Sequence, residues 1–175
     1  YVIKSRLGVG ERGSVYRALD LTWGRDVAVK VLLPEMLLIP GTMERLTSIL
    51  RRHLGLAHPA IAGVYSLGRV NGVTFIASEF IEGETLRQHA RRIGGGKGLG
   101  AAAIERLIAP VCAALTYSGD RLVHLNLNPE NVLVTRDGAV KVVDFGLEDV
   151  IAAIRRGRSR AMTEQRRFRA PEQVR

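Results

Sequence analysis

The stretch Gly8-Val9-Gly10-Glu11-Arg12-Gly13 most constrains what this chain can fold into. Weak alternation over residues 2–8 leads into it, and Ser14-Val15-Tyr16-Arg17-Ala18 leaves it as a second strand-like run. The pattern reads as strand, glycine turn, strand. Glycines at this spacing remove side chains where backbone N–H groups could approach phosphates. A dinucleotide-binding fold would open a helix directly after the third glycine. A strand in that place argues against that fold.

The next segments extend the alternation of strand and turn. Val27-Ala28-Val29-Lys30-Val31 reads as a buried strand with Lys30 at its edge. Over residues 42–57, Met43, Leu46, Ile49, Leu50, His53 and Leu54 repeat at three and four, which predicts a helix with one apolar stripe. Ile61–Leu67 and Val73–Phe80 read as paired strands around Asn71-Gly72, a strong hairpin signal. His53 and His58 read as packing and turn residues, because neither has a second ligand at metal spacing. A length of 175 residues, 46% hydrophobic and 25% charged, suits one soluble domain with a real core.

Glu84–Ile93 reads as a short helix, and Gly94–Gly100 as a flexible connector. The connector lacks the Gly-Lys-Ser/Thr ending and the preceding strand of a phosphate loop. Ala101–Tyr117 predicts a long helix with Ile104, Leu107, Ile108, Val111, Cys112 and Leu115 on one side and Pro110 inside it. Cys112 is the only cysteine, which excludes an internal disulfide framework, and it is expected to be buried. No apolar run is expected to span a membrane, the most hydrophobic stretch, Val31–Ile39, being broken by Pro34 and Glu35. Val132-Leu133-Val134, a turn at Asp137-Gly138 and Val140–Val143 read as a second hairpin. The net charge of +9 is concentrated late: residues 151–175 hold eight arginines against Glu164 and Glu172. Without interleaved aromatic residues, this reads as a solvated basic segment and not as a nucleic-acid surface.

Taken together, six stretches resemble the motifs of protein kinases, in the family's order over the whole chain. The glycine turn resembles the kinase glycine loop, and Val27–Lys30 the Val-Ala-Ile-Lys strand. Ser78-Glu79-Phe80-Ile81-Glu82-Gly83 resembles the hinge. His124-Leu125-Asn126-Leu127-Asn128-Pro129-Glu130-Asn131 has the frame of the catalytic loop, His-Arg-Asp-x-Lys-Pro-x-Asn. Asp144-Phe145-Gly146 and Ala170-Pro171-Glu172-Gln173 resemble the metal-binding motif and the close of the activation segment. The last of these is similar to the bacterial Ser/Thr type.

The resemblance implies a bilobal α+β fold. Residues 1–79 would form an antiparallel-sheet N-lobe, and 80–175 the hinge and a partial helical C-lobe. The chain is expected to be a piece of a longer protein, with helices beyond it covering the apolar faces around Leu107, Val111 and Leu133. ATP and Mg²⁺ are the implied cofactors. Gly8, Gly10 and Gly13 would lie over the phosphates, and Leu7 would be a further nucleotide-binding residue. Val15, Ala28 and Leu133 would surround the adenine. Lys30 would hold phosphate, Ser78 would be the gatekeeper, and the main chain of Glu79 and Ile81 would meet the adenine edge. A serine gatekeeper would leave the back of the pocket open. Asn131 and Asp144 would hold Mg²⁺.

The chain departs from the family where the acceptor is handled. Asn126 replaces the catalytic aspartate, and an amide has no useful basicity. Asn128 replaces a lysine that would neutralise the transferring phosphoryl group. Counting back from Leu56-Ala57-His58-Pro59, the helix glutamate that would hold Lys30 is Ile49. Glu44 lies five residues earlier, about 140° round the helix. Gln165 stands where a threonine usually contacts the missing lysine, and Leu125 where an arginine captures an activation-segment phosphate on sites such as Ser159 or Thr163. Three readings follow: an ATP-binding pseudokinase that regulates or scaffolds a protein partner, a weak Ser/Thr kinase, or a scaffold that binds no nucleotide. A cytoplasmic location is expected, with any membrane anchor outside this segment.

Overall fold

The computed structural model describes residues 1–146 apart from 11, 12, 39, 96, 97 and 120. The basic segment, Ser159, Thr163, Gln165 and the Ala170–Gln173 stretch lie outside the described residues. The structure has an α+β architecture: a five-stranded antiparallel sheet followed by a part that is helical around a small three-stranded sheet.

The first sheet contains β1 (Val2–Gly10), β2 (Gly13–Asp20), β3 (Arg25–Leu32), β4 (Val64–Val70) and β5 (Val73–Glu79), in the order β1-β2-β3-β5-β4. The β4–β5 turn has positive φ at both Asn71 (49°) and Gly72 (79°), the geometry that an Asn-Gly pair favours between strands. Val27 and Val29 of β3 are buried on one face with Ala18 and Ala77. Leu32 belongs to the other face, where it joins the main core. A short helix, α1 (Pro34–Leu37), and α2 (Thr42–Leu54) cover that side. The α2 stripe is narrower than its periodicity predicts. Leu46, Ile49 and His53 are buried, but Leu54 is 63% exposed because it lies a further 100° or so round the last turn.

The stretch expected to be helical from Glu84 begins instead with a three-residue strand, β6 (Gly83–Thr85), followed by α3 (Leu86–Gly94). The reason is local. Thr85 accepts the backbone N–H of Gln88, and the Gln88 side chain accepts the N–H of Thr85, a capping box that fixes the helix start at Leu86. β6 pairs with β7 (Val132–Thr135), which pairs with β8 (Val140–Val142). Residues 60–62 dock on β8: Val142 donates to Ala60 O and accepts from Ala62 N.

The long helix α4 (Ala101–Ser118) runs through Pro110 as one element. Leu107, Val111 and Ala114 enter the core, so the faces around Leu107 and Val111 are covered, contrary to expectation. Ile104 and Ile108 are the exposed apolar residues, and they line an apolar groove of about 540 Å³ against Leu86, Ala90 and Leu99. Cys112 is exposed rather than buried, because it lies about 100° round from Val111 on the alanine-rich outer face. By length and composition α4 is apolar enough to cross a membrane, a weak signal from a single helix, and Leu107, Val111 and Ala114 pack it against the core.

Gly13 shows how tightly the first sheet is closed. Its φ is +125°, and a Cβ there would lie 1.8 Å from the carbonyl oxygen of Val31. The Gly13→Ala variant is expected to lose about 2 kcal/mol or more of stability. Gly8→Ala, with nothing within 4 Å of the added carbon, should change stability by less than about 1 kcal/mol. Urea unfolding of the two variants checks both.

Candidate functional site

Strand alternation puts the predicted pocket residues on one face of the first sheet. Val15 is opposite Lys30, Lys30 opposite Ile76, and Ala28 opposite Ser78. Gly8 pairs with Val15 and Gly10 with Gly13, which sets the glycine turn at the end of the same two strands. The requirement for glycine at 13 comes from the close approach of β3, a packing reason that the motif alone does not reveal. Leu7 is exposed on β1.

From the other sheet, Leu133 of β7 is half-buried and opposite Lys141 of β8. Lys141 reaches the Glu79 carboxylate at 2.7 Å, so this face of β7–β8 lies against the end of β5. Glu79 is further tied to Gly63, whose N–H it accepts at 3.0 Å and whose carbonyl accepts the Glu79 N–H at 2.8 Å. Ile81 follows at the half-buried crossing between the sheets.

The two sheets are joined across the cleft by an ion pair. The Lys30 ammonium donates to the Asp144 carboxylate, with side-chain exposures of 13% and 21%. Ile49 stands where a third partner would come. Its side chain is buried and lines the same small cavity as Lys30 and Asp144. A Cβ on Gly146 would meet Ile49 Cγ2 at 3.3 Å, so the isoleucine fills the space beside the 144–146 turn. Glu44 is exposed on α2, away from this contact. Ser78 borders that cavity of about 40 Å³, so the space behind the small side chain is present but narrow.

The loop 124–131 is held by its own side chains. His124 is buried, donates from Nε2 to Val143 O at 2.9 Å, and accepts the Asn126 N–H on Nδ1 at 3.3 Å. Both bonds are satisfied by one neutral tautomer. Asn126 is 7% exposed, and its carbonyl accepts the side-chain amides of both Asn128 and Asn131, at 3.0 and 2.9 Å. The other end of the Asn128 amide accepts the Glu130 N–H at 2.9 Å. Asn128 therefore spends both ends of its side chain inside the loop. Leu125 and Asp144 have φ of 61° and 64°. Residues other than Gly, Asn and Asp rarely take this conformation, and such backbone strain clusters at functional sites.

A stack of rings backs the cleft. Phe145, 1% exposed, packs against His124 with centroids 4.7 Å apart and meets His53 edge-on at 6.1 Å. His53 Nδ1 has no hydrogen-bond partner among the described residues. Burial pushes the His53 pKa down from 6.5 to about 4. Periodicity identified His53 as a packing residue but not its place behind the Asp144 turn. His58 acts in a turn as expected, accepting the Ala60 N–H at 3.1 Å.

Among the described residues no three His, Cys, Asp or Glu side chains are grouped to hold a metal. Asp144 and Asn131 offer a different set, one carboxylate and one amide oxygen. Val143 N–H donates to Asn131 O at 3.0 Å and keeps the two positions adjacent. The Asn131 amide nitrogen faces the Asn126 carbonyl, so its oxygen is the end turned away from that bond. Such a pair suits Mg²⁺, which takes its remaining ligands from phosphate and water.

Comparison with known proteins gives a consistent result. The protein kinase domain family model matches residues 1–175. The serine/threonine-protein kinase PknB of Mycolicibacterium smegmatis is 35% identical over 157 residues, 87% of this chain and 25% of that protein. The PknB of Mycobacterium tuberculosis H37Rv is 34% identical over 157 residues, with the same two shares of 87% and 25%. The crystal structure of the M. tuberculosis PknI kinase domain superimposes with a TM-score of 0.74 at 28% identity, covering 83% of this chain and 59% of that one. The chain thus spans about a quarter of the length of these curated relatives.

The depressed pKa of His53 makes stability depend on pH. The ring is neutral in the folded protein down to about pH 4, whereas in the unfolded chain it protonates near 6.5. Its contribution is therefore complete above pH 6.5 and is lost as pH falls toward 4, by up to about 3 kcal/mol. Urea unfolding between these pH values is expected to show the loss, and His53→Leu should flatten it.

Proposed function

The chain belongs to the protein kinase domain family, and from that membership we propose that it binds ATP and acts through conformation and a protein partner, without transferring phosphate. It is homologous to bacterial Ser/Thr kinases. The observation that carries the reading is the state of Asn128. A lysine at this position would extend toward the transferring phosphoryl group. Asn128 instead turns into the loop and braces Asn126 and Glu130.

The roles proposed for the remaining residues follow from their placement. Val15, Ala28 and Leu133 sandwich an adenine whose edge meets the main chain of Glu79 and Ile81. Gly8, Gly10 and Gly13 lie over the phosphates, Leu7 joins the nucleotide site beside them, and Lys30 supplies the positive charge the phosphates need. Asp144 and Asn131 hold Mg²⁺, which when bound neutralises phosphate charge. ATP as ligand favours a cytoplasmic location for this part of the protein. Chemistry stops at the acceptor. Asn126 cannot take a hydroxyl proton, a loss worth about 10²–10⁴ in rate by itself. Without the Asn128-position lysine, charge developing in the transition state meets no cation from the loop. Ile49 removes the carboxylate that would hold Lys30 toward a nucleotide.

Label transfer from ATP to a generic basic protein and to the protein itself tests this. The native protein is expected to show no transfer. Asn126→Asp alone should recover little, because the two losses act on one transition state and do not add. The pair Asn126→Asp with Asn128→Lys should recover measurable transfer, and adding Ile49→Glu should raise it further. The Asn128→Lys change should also cost about 1–3 kcal/mol of stability, since it removes two bonds inside the loop. Robust transfer by the native protein, abolished by Lys30→Met, would overturn the reading.

A further inference from the structure

Asp144 serves two cations in the reading above. It is proposed to hold Mg²⁺, yet in the structure it already accepts the Lys30 ammonium. The cause is at position 49. A glutamate there would take Lys30 and leave Asp144 to the metal. Ile49 offers only methyl groups, and it is buried in the wall of the cavity that Lys30 and Asp144 share. Glu44, on the exposed side of α2, does not substitute for it. Lys30 is only 13% exposed, so its ammonium has little water to fall back on, and a carboxylate across the cleft is the partner it finds.

We infer that Lys30 and a divalent cation compete for the Asp144 carboxylate, so that metal and nucleotide each have to open the same ion pair and each eases the binding of the other. The inference rests on the proposed nucleotide reading and specifies how that site is regulated. A metal reaching Asp144 must first displace the ammonium. Once displaced, Lys30 is released to the phosphates, where it adds to the charge the metal supplies. A nucleotide arriving alone draws Lys30 from Asp144 and leaves that carboxylate near the phosphates, where a cation is then needed. Whichever arrives first bears the cost of opening the pair, so the second binds more tightly and the metal dependence is raised. A carboxylate restored at position 49 separates the two duties. Lys30 then has its own anchor, metal reaches Asp144 without displacing it, and the share of the coupling that comes from the common pair is lost.

The test is equilibrium binding of ATP to the full chain, once with excess Mg²⁺ and once with EDTA, for the native protein, Ile49→Glu and Lys30→Met. The readout is the ratio of the two dissociation constants, and no turnover is involved. The native ratio is expected to be about 10-fold or more, and a ratio below about 5-fold would overturn the competition. Ile49→Glu should lower it to below about 5-fold. Lys30→Met, which removes the ammonium from Asp144 without placing a charge in the core, should weaken binding in both conditions and also lower the ratio; it decides the matter if Ile49→Glu fails to fold. A native ratio of about 10-fold or more that neither variant changes would overturn the competition while keeping the nucleotide reading. Absence of ATP binding by the native protein and both variants in either condition overturns the nucleotide reading itself, and the competition with it.

Discussion

The Lys30–Asp144 ion pair is the contact on which the arrangement of this cleft depends. It joins β3 of the first sheet to the turn after β8, residues 114 apart in sequence. An ion pair of this exposure is not a large source of stability, because desolvation cancels much of the attraction. Its importance is in what it fixes. It ties the two sheets together at the point where a nucleotide would enter, and it neutralises the Asp144 carboxylate in the turn after β8. The pair exists in this form because Ile49, not an acidic residue, is the helix side chain that reaches this corner.

Behind the pair, packing takes over from charge. Phe145 lies between His53 and His124, and His124 is bonded to Val143 and to its own loop. The rings connect α2, the 144–146 turn and the 124–131 loop in one column. That column holds the loop in its kinase-like frame even though its reactive residues are asparagines. Asn126, Asn128 and Asn131 form a closed network around the Asn126 carbonyl, in which amides substitute for charges without leaving buried polar groups unmet.

Much of this was legible in the sequence. The glycine turn followed by a strand, the Asn71-Gly72 hairpin and the order of the motifs give the α+β fold, and counting back from His58-Pro59 identifies Ile49 as the residue at the corner. What was not legible depends on contacts between distant segments. Nothing near Lys30 in the chain says that Asp144 would become its partner. The periodicity of α4 puts Ile104, Ile108 and Cys112 on the same side as Leu107 and Val111, but only the packed structure shows which edge of that broad stripe enters the core. Helical periodicity from Glu84 onward hid the three-residue strand β6, although Thr85 and Gln88 carry the capping signature that marks where the helix begins. The intraloop role of Asn128 could not be inferred from a substitution read only as the loss of a lysine.

The central claim is that Lys30 and Asp144 hold each other in the absence of nucleotide. A double-mutant cycle measures this directly, using the unfolding free energies of the native protein, Lys30→Met, Asp144→Asn and the double variant. The account predicts a favourable coupling of about 1 kcal/mol or more, because each single change leaves a poorly solvated partner. Additivity of the two changes within about 0.3–0.5 kcal/mol would show that the residues do not interact, and would contradict it.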